Sequence, residues 1–365
     1  MHTPPAMART QELSRRRAGW AALAVLLAVA GVLLLANRGQ EPPRARVTPP
    51  RLHDEEAARV PTRRATLAPL AVSEPAPAPT PPPKRDPLLI ALPLKPDSPV
   101  VVFEINALRY SPVGERILAC VRGKEQGRFA DLARDSGIDP LTDIDRVAFL
   151  GDSTVVSGQF DRARWDKLGS PGEPYGEGGR IYKTPRGTVA AWRDQLVVLS
   201  SGPEDARQAI DQLEGRAAAP ETGFPDEMSY GEIYGLVPGA AARRALGGEG
   251  EADQGGQGGL TDRIASLASR IELHVDAMQD LAAEVRVRGD DAAGLSDLAK
   301  GLGVALAAAR VNSQATGNKG VSTLLANATV RPGDGELSIK LAVPAARVGD
   351  LLGDDCRLFG APTPQ

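Results

Sequence analysis

The stretch "RVAFLGDSTVVSGQF", residues 146–160, decides the fold. Were Ser153 to lead into a helix, the unit would belong to a doubly wound parallel sheet. Val147 to Leu150 is instead a β-rich run and Gly151-Asp152 a two-residue loop with glycine first, the type II′ signal. Thr154 to Phe160 is a second β-rich run. The stretch therefore reads as a hairpin with Ser153 at its corner. Working outward, "VVVFEI" from Val100 is a buried strand by length and β-branching, and Ser111-Pro112 is an N-cap and first-turn pair. Ile117, Cys120 and Val121 recur at helical spacing until Gly123, and a second short helix with Phe129 and Leu132 inward ends at Gly137. Downstream, Asp161 is expected to cap a helix carrying Trp165 and Leu168.

The same grammar then repeats. Ile181 to Ser200 holds short strands broken by "TPRG" and "RDQ". Ser201 and Glu204 have capping-box spacing before a helix with Ala206, Ala209, Ile210 and Leu213 on one face, stopped by Gly215. Met228 to Val237 reads as a strand leading to a Pro238-led helix, and "LGGEGEADQGGQGGL", residues 246–260, is a Gly-rich acidic loop. A helix capped by Thr261 opens the second half. "IELHVDAM" and "LAAEVRVRG" follow as alternating strands, then a long helix with Leu295, Leu298, Leu302, Leu306 and Ala309 inward. Leu324 to Arg331 and Glu336 to Val343 flank the turn "PGDG" as a last hairpin before a Pro344-led helix. The expected fold is α+β: repeated ββα units forming antiparallel sheets with helices on one side, in halves spanning 99–245 and 261–365.

Ahead of this body, "AGWAALAVLLAVAGVLLLA", residues 18–36, is apolar throughout and long enough to cross the roughly 30 Å hydrocarbon layer. A cleaved signal peptide has a shorter apolar region and a small-x-small site, which Leu34 and Ala36 make poorly. Arg15, Arg16 and Arg17 abut the start of the segment while Arg38 stands alone at its end, so the basic tail 1–17 is expected in the cytoplasm and the body outside the inner membrane. Residues 37–98, densest in "SEPAPAPTPPPKRDP", read as a disordered Pro/Ala-rich linker.

A net charge of -3 with aromatics at 4% leaves neither a basic footprint nor stacking platforms for nucleic acid. Glu272, His274 and Asp276 share one strand face, but a metal site draws ligands from several elements and no second histidine lies in the body; a solvated outer face is the reading. Asp139, Asp143 and Asp145 lack the spacing of a calcium loop and fit a turn and cap. In "GNKGVST", residues 317–323, Lys319 is followed by Gly320, which a phosphate loop does not allow, and a strand is expected next. No catalytic residue, cofactor or metal is therefore assigned. Cys120 and Cys356 form a possible disulfide in an oxidising compartment; the alternative is a small core residue and an independent surface thiol.

Gly151-Asp152-Ser153 resembles the nucleophile of GDS-type hydrolases, yet that family needs the serine to enter a helix and a histidine in Asp-x-x-His, whereas Ile271 stands three before His274. The runs "SGIDPLTDIDRVAFLGD" (136–152) and "AAWRDQLVVLSSGPEDARQAIDQL" (190–213) resemble uncharacterised membrane-anchored bacterial envelope proteins of the DUF3352-like kind. That resemblance covers about residues 100–215 and implies an extracytoplasmic α+β body with no assigned activity. The N-terminal plan is also similar to that of energy-transducer proteins, which carry polar residues in the membrane helix where this segment has none. The expectation is a single-pass, non-enzymatic binding or scaffold protein meeting an envelope protein or a cell-wall component, with a trans-envelope linker as the alternative.

Overall fold

A computed structural model describes residues 86–352 except 94, 96, 168–169, 186, 221–230, 247–259 and 317–318. The expected membrane segment, residues 37–85 of the expected linker, residues 247–259 of the Gly-rich loop and Cys356 lie outside the described residues. The end of the expected linker is not disordered: Pro87–Ile90 form a helix capped by Asp86, and Leu88 and Leu92 are buried in the core, because this short apolar run finds a sheet face to cover.

The opening hairpin forms as its turn chemistry dictates. β2 (Ile144–Leu150) and β3 (Ser153–Gly158) are antiparallel partners with Leu150 opposite Ser153. Gly151 has φ 58° and is the only turn residue of the pair with positive φ, as a type II′ turn requires. The later "RDQ" turn is of the other hairpin type: Arg193 and Asp194 both sit near φ 50° between β6 (Gly187–Trp192) and β7 (Leu196–Ser200).

Each half repeats one topology. β1 (Val100–Glu104) is followed by α2 (Ile105–Arg109) and α3 (Pro112–Ser136), then β2 and β3. β4 (Glu173–Tyr175), β5 (Gly179–Thr184), β6 and β7 come next and lead into α4 (Pro203–Leu213); α1 (Pro87–Ile90) precedes the whole. In the second half β8 (Ile233–Pro238) is followed by α5 (Gly239–Leu246), α6 (Leu260–Leu267), β9 (Arg270–Asp276) and β10 (Leu281–Arg288). Then come α7 (Ala292–Thr316), α8 (Lys319–Asn327), β11 (Ala328–Pro332), β12 (Glu336–Val343) and α9 (Ala345–Leu352). The strand order β1-β2-β3-β7-β6 of the first half matches β8-β9-β10-β12-β11 of the second, with β5-β4 as an added edge hairpin. β1 pairs antiparallel with β8, so both halves belong to one 12-stranded sheet rather than to separate sheets.

The helices do not all lie on one side, contrary to the sequence expectation. Cross-strand registers define the faces, because directly opposed residues share a face. On the front, Val102, Ala148, Val155, Val198 and Ala190 are opposed in turn and pack under Leu88 of α1 and Ala206, Ala209 and Ile210 of α4. On the back, Ile271, Leu273, Val275, Val285, Val287 and Leu337 pack under Leu295, Leu298, Leu302 and Leu306 of α7. α9 occupies the place in the repeat that α4 has in the first half, yet Val348 packs with Leu108, Val113, Leu324 and Val343 at the back. Among the described residues, no helix covers the front of β9, β10 and β12.

Several local readings also change. Helix α3 runs unbroken through Gly123 and Gly127, capped by the Ser111 hydroxyl on the Gly114 amide and closed by left-handed Gly137. Two interior glycines weaken it by about 1 kcal/mol each, but its ends are pinned: Val113 in the α9 cluster, Ser136 and Ile138 against the Phe160 cluster. Trp165–Lys167 is one 3-10 turn rather than a helix. Gly202 caps α4 with Pro203 at its first position, so no Ser201–Glu204 capping box forms; the Ser201 hydroxyl bonds Asp152. α6 begins at Leu260, before the threonine expected to cap it. Residues 324–327 end a helix, α8, and β11 starts only at Ala328.

Candidate functional site

The question posed by Ser153 is settled by its neighbours. Its side chain is 1% exposed, and its hydroxyl lies 3.3 Å from Asp205 Oδ2. Lys95 Nζ bridges Asp152 Oδ1 at 2.7 Å and Asp205 Oδ2 at 2.8 Å. These four groups, with Ser201, clasp the β2–β3 turn to the first turn of α4. Burial alone would lower the Lys95 pKa, but its hydrogen bonds to Asp152 and Asp205 outweigh that and hold it raised, so this lysine is no general base. The hydrogen bond from Lys95 in turn keeps the Asp152 carboxyl below the usual carboxylate value. Ser153 and Glu272 lie in one cross-strand row through Leu150, Val100 and Leu236. Four strand spacings, about 19 Å, thus separate Ser153 from the strand that carries His274.

The clasp predicts a pH signature. The Asp152 contribution is complete above the unfolded carboxylate value of about 4 and is lost as pH falls through the depressed folded value. The Lys95 contribution is complete below about pH 10 and is lost as pH rises through its raised folded value. Lys95→Met should cost about 1 kcal/mol, allowing for partial exposure, over roughly pH 5 to 9. Urea unfolding of both proteins should show that gap narrowing below about pH 4; a gap that persists unchanged to pH 2 would mean the clasp is not electrostatic.

A second assembly of charged groups lies on the front of β9, β10 and β12, which none of the described helices covers. Its inner border is Arg146, which faces Glu104 across β1 and β2. Arg146 donates to Glu104 Oε1 at 2.9 Å and to Tyr234 Oη at 3.0 Å, and pairs with Asp86 Oδ2 at 2.7 Å. Burial pushes the Tyr234 phenol up to about 12, so it stays protonated and donates to Glu104 Oε1 at 3.2 Å. Asp86 also caps α1 through the Leu88 amide at 3.0 Å, so this network ties α1 to the sheet. From Tyr234 one row runs outward through His274, Glu284 and Lys340 to Thr329. Glu284 accepts from Arg286 at 2.8 Å and from Ser338 at 3.2 Å and pairs with Lys340 at 3.2 Å. Burial alone would raise its pKa, but these cations hold it below the usual carboxylate value.

Glu272, His274 and Asp276 share this face, as their alternation implies, but the face is not uniformly solvated. Glu272 is 0% exposed. Arg270 Nε lies 2.8 Å from its Oε1 and Arg288 Nε 3.2 Å from the same atom, the two arginines being directly opposite across β9 and β10. The burial was missed because it depends on which strand pairs with β9; an arginine two residues before the glutamate was the only local hint. Asp143 Oδ2 accepts from the Asp139 amide at 2.8 Å, and Asp139 Oδ1 from the Leu141 amide at 2.9 Å, which makes the "GIDPLTDIDR" aspartates a turn. Among the described residues no three His, Cys, Asp or Glu side chains are grouped to hold a metal ion. Cys120 is disulfide-bonded and half-buried on α3.

No family model matches this chain, and no curated protein matches it. Among solved structures it is similar to three crystal forms of TP0453. Form I is 11% identical with a TM-score of 0.40, covering 75% of this chain and 99% of that one. Form III gives 12% and 0.41 over 71% and 95%, and form IV 10% and 0.42 over 72% and 95%.

Proposed function

We propose that this protein is a membrane-anchored binding or scaffold protein of the cell envelope, which works by contact rather than catalysis. The observation that carries the reading is the front of β9, β10 and β12, a sheet face of Arg, Lys, Glu and His side chains that none of the described helices covers, whereas α1 and α4 cover the equivalent face of the first half. The apolar segment 18–36, the Pro-rich residues 37–85 and the resemblance to the envelope family support an extracytoplasmic body on a long tether. A folded body on such a tether would reach an envelope protein or wall component beyond the membrane surface.

In-cell photo-crosslinking from position 340 on the open face, with position 204 on α4 as the comparison, tests this. Glu204 is 83% exposed, so access is not the difference between the two positions. A reproducible envelope protein or wall fragment captured from 340 and not from 204 is the expected result. Equal capture from both positions, or none from 340, would overturn the reading.

A further inference from the structure

One end of the open face carries more donors than the protein uses. Arg270, Arg286, Arg288 and Arg331 stand there against Glu272, Glu284 and Glu336, four cations to three anions, on a chain whose net charge is negative. Arg286 is spoken for by Glu284. Arg270 and Arg288 share one carboxylate, that of Glu272. Both approach one oxygen of Glu272 through Nε, and Arg288 Nε stands 3.6 Å from Glu336 Oε2, but Arg288 Nε and both Glu272 oxygens lack an aligned hydrogen bond among the described residues. Side chains 40% and 34% exposed place the two groups at the surface, with the buried Glu272 beneath them as counter-ion.

Directly opposed like charges on a sheet are unfavourable unless something bridges them, and a guanidinium presents a planar fork of donors matched to an oxyanion. Glu272 lies nearest Nε of each guanidinium, and both side chains remain partly exposed. We infer that Arg270 and Arg288 form a surface oxyanion site that takes a phosphate or carboxylate group between their forks. This deepens the reading of the open face as a binding surface and rests on it, but its test needs no cellular partner. Phosphate binding can fail while crosslinking from position 340 succeeds, and the reverse.

The test is calorimetric titration of the detergent-solubilised full chain at low ionic strength, once with inorganic phosphate and once with succinate. Saturable binding of either, with Kd below about 1 mM, is expected; phosphate alone marks a tetrahedral ligand, succinate alone a carboxylate. Arg270→Lys and Arg288→Lys keep the charge beside Glu272, and so the fold, but lose the fork. Each should weaken binding about tenfold, with near-UV circular dichroism unchanged. Arg134→Gln, far along α3, should bind as the wild type does. The inference is overturned if neither anion titrates, or if both lysine variants bind with wild-type affinity.

Discussion

Denatured but unreduced protein will titrate no free thiol, and Cys120→Ser will lower the unfolding free energy by up to about 5 kcal/mol, less any strain the native bridge imposes. Cys120 is disulfide-bonded, and Cys356 is the chain's only other cysteine. The bridge they would make closes a loop of more than 200 residues, for which loss of unfolded-chain entropy is near the top of the usual range. Its place adds to the effect. α3 is 25 residues long and mostly exposed; it is held at its two ends and carries Val121 and Leu132 at 38% and 37% exposure between them. A crosslink near its middle would fasten a helix that packing holds only at its ends. Two titratable thiols in the unreduced protein, or a Cys120→Ser variant as stable as the reduced wild type and the oxidised one alike, would remove the bridge from the account.

Leu298→Ala on α7 will cost about 2–5 kcal/mol, whereas Val304→Ala on the same helix will change stability by less than about 0.5 kcal/mol. Ala292–Val311 is apolar and long enough to cross a membrane by length and composition, with a mean hydropathy of 1.3. Its packing accounts for that character. Leu295, Leu298, Leu302 and Leu306 are at most 4% exposed and face the back of β9, β10 and β12, while Val304 and Val311 are 71% and 69% exposed on the opposite side. Deleting the Leu298 side chain opens a cavity between helix and sheet; trimming Val304 removes surface that water already touches. Chemical denaturation of the two variants measures the difference, and equal losses would mean that α7 is not seated on the sheet as described.

Where turn and cap chemistry is local, it was readable. Gly151 needs positive φ in its turn, Ser111 has an amide three residues on to satisfy, Gly137 closes a helix in the left-handed region, and the leucine stripe of α7 has one face to bury. Reading failed where two local signals compete. Gly123 suggests a stop, yet α3 continues because both its ends are anchored elsewhere; Leu324 to Arg331 reads as a strand, yet Leu324 and Leu325 meet the core from a helix. The Ser201 hydroxyl could have capped α4 but found Asp152, a residue 49 positions away.

The sequence by itself determined the hairpins, the antiparallel character and the repeated strand–helix grammar, because these depend on side chains within a few residues of one another. Only the tertiary structure decided that β1 and β8 join the halves into one sheet, that α4 covers the front while α9 turns to the back, and that Glu272 is buried beneath two arginines. Each of those outcomes depends on pairing between strands far apart in the chain. Moving a strand to another neighbour would leave every local signal intact and would change which charged side chains meet on the open face.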